Sequence, residues 1–371
     1  MSATPGQAAP TVLRLDALTG IRGIAAWLVV FYHIRHSMQL LVPQEIIGWF
    51  AKGYLAVDLF FVLSGFVLWF NYGERLQGGG RGQVGAFLWR RFARVWPLHA
   101  FILSLFVLFA ALLVFVGRGS ANYPFAELPL HFLLIQNWGF TPALAWNDPA
   151  WSISTEFAAY LLFPLLAVSL PWNRLSAPVL IAIAIALCTA IAVLFHLSGT
   201  QSLGHDIARL GLWRCLAQFC LGMIACLLWL KWRGKAFAAA WVAVASLSLL
   251  VIGQSFSLPE TAFVPALFFT AILALALDRS FVSRMLSTRA AIYLGEISYS
   301  TYLSHFLLFI LFKLAFVDES LQLGWGQTAG YLALVALASM ALYHLIEKPA
   351  QIWLNGRKPD WATAPRLVAA D

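Results

Sequence analysis

The stretch APVLIAIAIALCTAIAVLFHL, residues 177–197, is 21 residues long and contains no Lys, Arg, Asp or Glu. About 20 apolar residues are enough for an α-helix to cross the hydrocarbon core of a bilayer. Nine more apolar runs of similar length occur along the chain. They are 17–38, 54–72, 97–117, 151–170, 210–230, 236–253, 261–277, 293–316 and 325–346. The sequence therefore predicts an all-α, polytopic membrane protein with ten transmembrane helices.

The composition of the 371-residue chain supports this prediction. Hydrophobic residues make up 61% of the chain and charged residues only 11%, whereas a soluble domain carries about 25% charged residues. So few charged residues cannot provide the polar surface of a soluble enzyme. The shorter apolar run 128–138 cannot span a bilayer, so we predict that it lies at the interface or re-enters the membrane.

The Lys and Arg residues predict the orientation of the chain. If both termini are cytoplasmic, 17 of the 24 Lys and Arg residues lie in cytoplasmic segments and 3 on the opposite side, which agrees with the positive-inside rule. We therefore predict a cytoplasmic tail over 1–15, a transmembrane domain over 16–348 and a cytoplasmic tail over 349–371. The net charge of +8 then reflects membrane topology, and no nucleic-acid partner is predicted.

Among the ionisable residues of the first apolar run, Arg22 and His33 lie inside the span. Eleven residues of α-helix make about three turns, so both side chains leave the same face, about 16 Å apart along the axis. A charged side chain at the centre of a bilayer costs about 2.5–3.5 kcal/mol, which makes such residues functional candidates. The alternative is that Arg22 extends to the interface and His33 hydrogen-bonds a neighbouring helix.

Two carboxylates are predicted at the depth of His33. The second span starts near Asp58 and the fourth near Glu156, and both run inward from the outer surface. A neutral histidine beside a carboxylate is the usual arrangement of a general base, because the carboxylate fixes the tautomer and stabilises the imidazolium. The alternative is a polar cluster that only holds helices together.

A cationic segment, RRFARVWP, precedes the third span and contains Arg90, Arg91 and Arg94. Arg91 and Arg94 are neighbours on one helix face because they are three residues apart. Guanidinium groups bind phosphates through paired hydrogen bonds. Contact with anionic lipid headgroups is the alternative.

Six motifs in this chain resemble the acyltransferase-3 family of bacterial integral-membrane O-acyltransferases. Arg22 and His33 match the signature that opens the family. The other motifs follow in the family's order: LAVDLFFVLSGFVL (55–68), RRFARVWPL (90–98), WSISTEF (151–157), SYSTYLSHF (298–306) and EKP (347–349). The resemblance covers most of the chain and implies the ten-helix fold.

The resemblance also implies an activity, the transfer of an acyl group, commonly acetyl from acetyl-CoA, to sugar hydroxyls of surface polysaccharides. In the family, the residue matching His33 is essential and the one matching Arg22 is its partner. Arg91 and Arg94, with Arg90 beside them, match the cytoplasmic arginines that meet the acyl donor. Asp58 and Glu156 match motif acids. His305 is followed by Phe306 where the family often has proline, and we expect it to be a core histidine.

These inferences combine into one hypothesis. Acyl-CoA, a co-substrate rather than a bound cofactor, docks at the arginines and extends along the Arg22–His33 face. His33, oriented by Asp58 or Glu156, then deprotonates the acceptor hydroxyl. An acyl-histidine intermediate is the variant of this mechanism. No metal is predicted, because no ligand cluster of suitable spacing occurs.

The predicted partners are acyl-CoA, a carbohydrate acceptor and the lipid bilayer of the bacterial inner membrane. Glycan-assembly proteins and a second copy of the chain remain open as further partners. Two other functions also remain open. One is a secondary transporter or exporter that uses the intramembrane His, Asp and Glu residues as a proton relay. The other is a non-catalytic subunit of a glycan-assembly complex.

Overall fold

The computed structural model describes residues 15–79, 81–119, 121–235 and 237–363, and within these ranges the regular secondary structure is entirely helical. Sixteen α-helices follow one another. They are α1 (Asp16–Ile34), α2 (Gln44–Phe50), α3 (Ala56–Leu68), α4 (Glu74–Gly78), α5 (Arg81–Phe115), α6 (Leu128–Phe132), α7 (Trp151–Ser169), α8 (Ala177–Leu197), α9 (Ile207–Trp232), α10 (Ala238–Ser255), α11 (Glu260–Leu277), α12 (Phe281–Leu286), α13 (Arg289–Glu296), α14 (Ser298–Phe316), α15 (Trp325–Leu342) and α16 (Lys348–Gly356). Two π turns, Trp69–Gly73 and Tyr343–Glu347, follow α3 and α15.

Ten helical segments in the described part of the chain are long and apolar enough to cross a membrane. This confirms the predicted fold class and the number of spans. The cytoplasmic location of both termini stays a prediction. Most of the predicted N-terminal tail (1–14) and the last part of the C-terminal tail (364–371) lie outside the described residues.

Two helix boundaries differ from the predicted runs. Helix α5 begins at Arg81, so the arginine-rich segment forms one helix with the third span, although Pro97 lies inside it. The ninth predicted run is divided at Ile297 between α13 and α14. The Ser298 hydroxyl donates a 2.7 Å hydrogen bond to the Gly295 carbonyl, and such local side-chain bonds compete with the helical ladder. Segment 128–138 contains only the short α6 and is not among the helices long enough to cross a membrane, and its interfacial or re-entrant position stays a prediction.

The centre of the bundle contains a close crossing of α3 and α9. Gly65 packs against the Phe219 carbonyl and Gly222 against the Val62 carbonyl, and a Cβ atom at either glycine would overlap the opposite backbone. Small residues at such contacts let membrane helices approach closely. This crossing gives the core a rigid wall, beside which α1, α5, α7 and α14 enclose a cavity.

Candidate active site

The cavity between α1, α3, α5, α7 and α14 has an empty volume of about 870 Å³, including its open mouth. Apolar side chains of α3, among them Phe60 and Phe61, form part of its wall. Its polar lining is unusually rich in ionisable groups for the interior of a membrane protein. These polar residues are Arg22, Ser64, Arg91, Arg94, Ser152, Glu156, Tyr160, Ser298, Tyr299 and Tyr302. We call this space the cationic cavity.

Three of the predicted arginines meet in the cationic cavity. Arg91 and Arg94 extend from the same face of α5, as their spacing predicted, and Arg22 reaches the cavity from α1. Arg90 belongs to the same helix but is not among the residues that line the cavity. The arrangement brings three guanidinium groups from two separate motifs into one site.

The three guanidinium groups differ in how they are paired. Arg94 forms an ion pair with the buried carboxylate of Glu347, which also accepts a 2.6 Å hydrogen bond from the Ser300 hydroxyl. Arg91 donates from Nη2 to the Tyr72 hydroxyl at 3.2 Å, and its Nε is buried without a partner. Within the described residues, neither Arg22 nor Arg91 forms an ion pair. Two guanidinium groups therefore remain available to an anion.

Glu347 was not singled out as a site residue from the sequence, although it is the first residue of the EKP motif. It lies in the π turn after α15 and is only 2% exposed. Buried charges in proteins are usually paired, and a carboxylate at the end of an apolar run was the signal that could have pointed to an arginine partner. Its pairing with Arg94 fixes the end of α15 against α5.

His33 pairs with a second histidine. The Nδ1 atom of His33 lies 2.9 Å from the Val29 carbonyl oxygen and 3.2 Å from Nε2 of His305. The Nδ1 atom of His305 lies 3.2 Å from the Thr301 carbonyl oxygen. His305 is fully buried and His33 is half-buried. His305 is thus a core histidine, as expected, and it also contacts the predicted catalytic histidine.

These contacts determine which ring nitrogens carry protons. A backbone carbonyl only accepts hydrogen bonds, so Nδ1 carries the proton in both rings. Nε2 of His305 is then unprotonated and accepts a hydrogen bond from Nδ1–H of His33. The Val29 carbonyl accepts from the same Nδ1–H group. The remaining nitrogen of His33, Nε2, keeps its lone pair. Among the described residues it has no hydrogen-bond partner. A neutral imidazole held in this tautomer can act as a base.

Asp58 does not orient His33. Its two carboxylate oxygens accept hydrogen bonds from Nε and Nη2 of Arg214 at 2.7 and 2.5 Å, and Oδ1 also accepts from the Gln218 amide. Asp58 and Arg214 are both almost completely buried. Arg214 was not among the candidate site residues derived from the sequence. Arg214 lies seven residues after the start of α9, and Asp58 lies near the start of α3. Both spans are predicted to start at the same side of the membrane, and this was the signal for the pair.

Glu156 does not contact His33 either, because it lies in the cationic cavity with Arg22 and Tyr160. The predicted arrangement, a carboxylate that orients His33, is therefore not found, and His305 occupies that position. The distance of each residue from the end of its span predicted a similar depth in the membrane. It did not predict the direction in which each side chain leaves its helix. The catalytic roles of His33, Arg22, Asp58 and Glu156 stay predictions.

The cationic cavity and the histidine pair come close together at α14. His33 is not among the lining residues of the cavity, but Tyr302 is. The Tyr302 ring centroid lies 6.1 Å from that of His305 and 6.0 Å from that of Phe60. Tyr302 and His305 are three residues apart, about one helical turn. The cationic cavity therefore reaches Tyr302 but not His33, and the structure shows no single open space along the Arg22–His33 face among the described residues.

Comparison with known proteins gives consistent matches. The family model described as an acyltransferase domain, acyltransferase-3, matches residues 15–344. The chain is 30% identical to acyltransferase MdmB of Streptomyces mycarofaciens over 96% of both chains. It is 36% identical to protein 2 in the picA locus of Rhizobium radiobacter over 40% of this chain and 81% of that protein.

A shorter part of the chain is similar to part of a larger protein. Over 43% of its length it is 24% identical to the peptidoglycan O-acetyltransferase OatA of Listeria monocytogenes, a match that covers 25% of that protein. No solved structure matches the chain.

Proposed function

The chain belongs to the acyltransferase-3 family, and on this premise we propose that it transfers an acyl group, acetyl in the simplest case, from acyl-CoA to a carbohydrate hydroxyl. The family membership and the ten membrane-crossing helices make it a multi-pass membrane acyltransferase. The donor, the acceptor and the residue roles given below are parts of the proposal.

One observation carries the proposed chemistry, the free Nε2 lone pair of His33. With Nδ1 engaged by Val29 and His305, Nε2 is the nitrogen available to a substrate hydroxyl. It takes the hydroxyl proton while the oxygen attacks the thioester carbonyl. The carbon–sulfur bond then breaks, and the CoA thiolate leaves with the proton returned from His33. His305 stabilises the transient imidazolium because its Nε2 accepts from the Nδ1 proton.

The cationic cavity supports binding of the acyl donor. Arg22 and Arg91 are not in ion pairs in the described residues, and Arg94 is neutralised by Glu347. Guanidinium groups bind phosphate in paired hydrogen bonds, and the phosphates of CoA provide several such anions. The acyl-pantetheine arm then extends towards Tyr302, one turn of α14 from the histidine pair.

The acceptor class rests on the relatives. OatA is named for O-acetylation of peptidoglycan, a glycan. General-base removal of a proton from a hydroxyl is the chemistry that O-acylation requires. We therefore propose a sugar hydroxyl of a cell-surface glycan or of its lipid-linked precursor as the acceptor, and the bacterial inner membrane as the location.

The test is an acyl-transfer assay with the purified protein in lipid nanodiscs. Acetyl-CoA is supplied with muramidase-digested peptidoglycan or with methyl glycosides, and both CoA release and the acylated product are measured. We expect His33→Ala to lower the rate by at least about 100-fold, the lower range for loss of a general base. His196→Ala, on the exposed end of α8, serves as the matched histidine control.

Two results contradict the proposal. Full activity of His33→Ala removes the general base from the mechanism. Transport of a glycan by the wild-type protein in sealed vesicles, without consumption of acetyl-CoA, favours the transporter alternative instead.

A further inference from the structure

A groove lies between α10 and α11, at the end where α10 begins and α11 ends. Its empty volume is about 1400 Å³, including its open side, and water-sized molecules can occupy about 720 Å³ of it. A cavity for a single water molecule needs only about 10–15 Å³. The space is therefore large enough for an organic ligand, and we call it the alanine groove.

Small side chains explain why this space exists. At the opposite end of the two helices, Gly253 of α10 packs so closely against the ring of Phe263 that a Cβ atom would overlap it. At the end with the groove, by contrast, the facing side chains are mostly methyl groups, which leave the space between the helices unfilled. The five alanines that line it are Ala239, Ala240 and Ala243 of α10 and Ala271 and Ala274 of α11.

Two basic side chains lie at the mouth of the alanine groove. Lys235 precedes α10 and Arg279 follows α11, and both are exposed. Neither forms an ion pair with any described residue. The carboxylate of the neighbouring Asp278 instead accepts hydrogen bonds from the backbone N–H groups of Ser280 and Ser283 and from the Ser280 hydroxyl. The two cations are therefore available to an anion.

Large apolar side chains are exposed around this mouth. Phe237 and Trp241, at the start of α10, are 76% and 71% exposed, and Phe281, two residues after Arg279, is 69% exposed. Trp, Lys and Arg residues at the end of a span anchor it at the level of the lipid headgroups. Both α10 and α11 are long and apolar enough to cross a membrane. The mouth of the groove thus lies at headgroup level, and its alanines extend into the hydrocarbon.

The distribution of charge favours one class of occupant. An apolar floor at the level of the hydrocarbon fits an acyl chain, and two cations at headgroup level fit a phosphate. Basic pockets between transmembrane helices bind the headgroups of anionic lipids in this way. A transmembrane helix of a second protein could also pack against alanines, but it gives no role to Lys235 and Arg279.

We propose that the alanine groove binds an anionic phospholipid, with its phosphate at Lys235 and Arg279 and an acyl chain along the alanines. None of the residues that line this groove also lines the cationic cavity. The inference is therefore independent of the proposed acyltransferase function, and lipid binding can be measured without an activity assay.

One pair of double variants tests the headgroup. Lys235→Gln with Arg279→Gln removes both cations of the groove. Arg75→Gln with Arg289→Gln is the matched control, since it removes the same charge from two exposed residues that do not line the groove. Both control positions are predicted to lie at the same side of the membrane as the groove.

A second pair of variants tests the acyl chain without changing any charge. Ala243→Phe places a ring in the apolar part of the groove. Ala245→Phe is its control, because Ala245 is exposed and does not line the groove. The two positions are two residues apart, about 200° around the helix, so their side chains leave different faces of α10.

The measurement is native mass spectrometry of the purified protein in detergent, titrated with phosphatidylglycerol or phosphatidylcholine. We expect the wild-type protein to bind phosphatidylglycerol more tightly. Loss of both cations should weaken this binding by about 25-fold, or about fivefold for each basic residue, and should leave phosphatidylcholine binding unchanged. Ala243→Phe should weaken binding of both lipids by about tenfold or more, the equivalent of burying two CH₂ groups less. Both controls should match the wild type.

Three results would overturn the inference. The first is equal affinity of the wild-type protein for the two lipids. The second is a loss of affinity in either control as large as in the variant that it matches. The third is a dimer mass that disappears in Ala243→Phe, since a second copy of the chain then occupies the groove.

Discussion

Replacement of His305 by leucine tests how His33 is supported. His305 accepts from Nδ1 of His33 at 3.2 Å, but the Val29 carbonyl accepts from the same nitrogen at 2.9 Å. The tautomer of His33 therefore survives the substitution, and only the bond that stabilises the imidazolium is lost. A hydrogen bond to a charged group contributes about 1.5–3 kcal/mol. We expect kcat to fall by about 10- to 100-fold, whereas removal of the base itself is expected to cost at least about 100-fold.

A graded series makes this prediction quantitative. His305→Gln keeps an acceptor oxygen near His33, so we expect it to lose less than about tenfold in kcat, a fraction of one charged hydrogen bond. The assay follows release of the CoA thiol from acetyl-CoA with saturating acceptor, normalised to folded protein by size-exclusion chromatography. The fold should persist, because the Tyr331 hydroxyl donates to the backbone carbonyl of residue 305, and this bond does not depend on the histidine side chain.

Two results would refute this reasoning. If His305→Leu is as inactive as His33→Ala, then His305 itself handles the proton. If His305→Leu has wild-type kcat, the contact between the two rings contributes nothing to catalysis. In both cases the KM for acetyl-CoA should be unchanged, since neither histidine lines the cationic cavity.

Three further predictions concern other contacts. Asp58→Leu leaves the buried guanidinium of Arg214 unpaired, so the free energy of unfolding in detergent should fall by about 3–5 kcal/mol, and the added Arg214→Met should restore most of it. No recovery in the double variant would contradict a structural ion pair. Glu347→Gln removes the negative charge that pairs with Arg94 and should lower the KM for acetyl-CoA about fivefold, or about 1 kcal/mol; a higher KM would show that the carboxylate positions the donor site. Gly222→Val should abolish accumulation of folded protein in the membrane, measured by fluorescence-detected chromatography, because its side chain overlaps the facing backbone. Gly326→Val, at an open position, should accumulate normally, and equal yields of the two variants would refute the close crossing.

The number of membrane spans could be predicted from the sequence because hydropathy depends only on local composition. Run 177–197 corresponds to α8 over the same residues. The start of α5 was missed because polar arginines at the membrane edge end an apolar run without ending a helix. The break at Ile297 coincides with a local hydrogen bond from Ser298 to the Gly295 carbonyl, which a pattern of apolar residues does not record.

The candidate site was predictable in part. The spacing of Arg91 and Arg94 predicted a shared face, and both line the cationic cavity with Arg22. The partner of His33 was not predicted, because chain position gives the depth of a residue but not the direction in which its helix presents it. Asp58, for example, faces α9 and Arg214 rather than His33. Such directions depend on how helices distant in sequence pack together.

The crossing of α3 and α9 has a mechanical consequence for ligand entry. The α3 side of the cationic cavity is expected to move little, since two glycines hold the backbones of α3 and α9 in direct contact. The facing side is built differently. Helix α14 begins after an interruption at Ile297 and hydrogen-bonds through Ser300 to Glu347, within a π turn, a backbone form that is often found at functional sites. Arg94 and Ser300 both hold Glu347, so we expect any movement that admits a ligand to occur at α14 and this turn rather than at the glycine crossing.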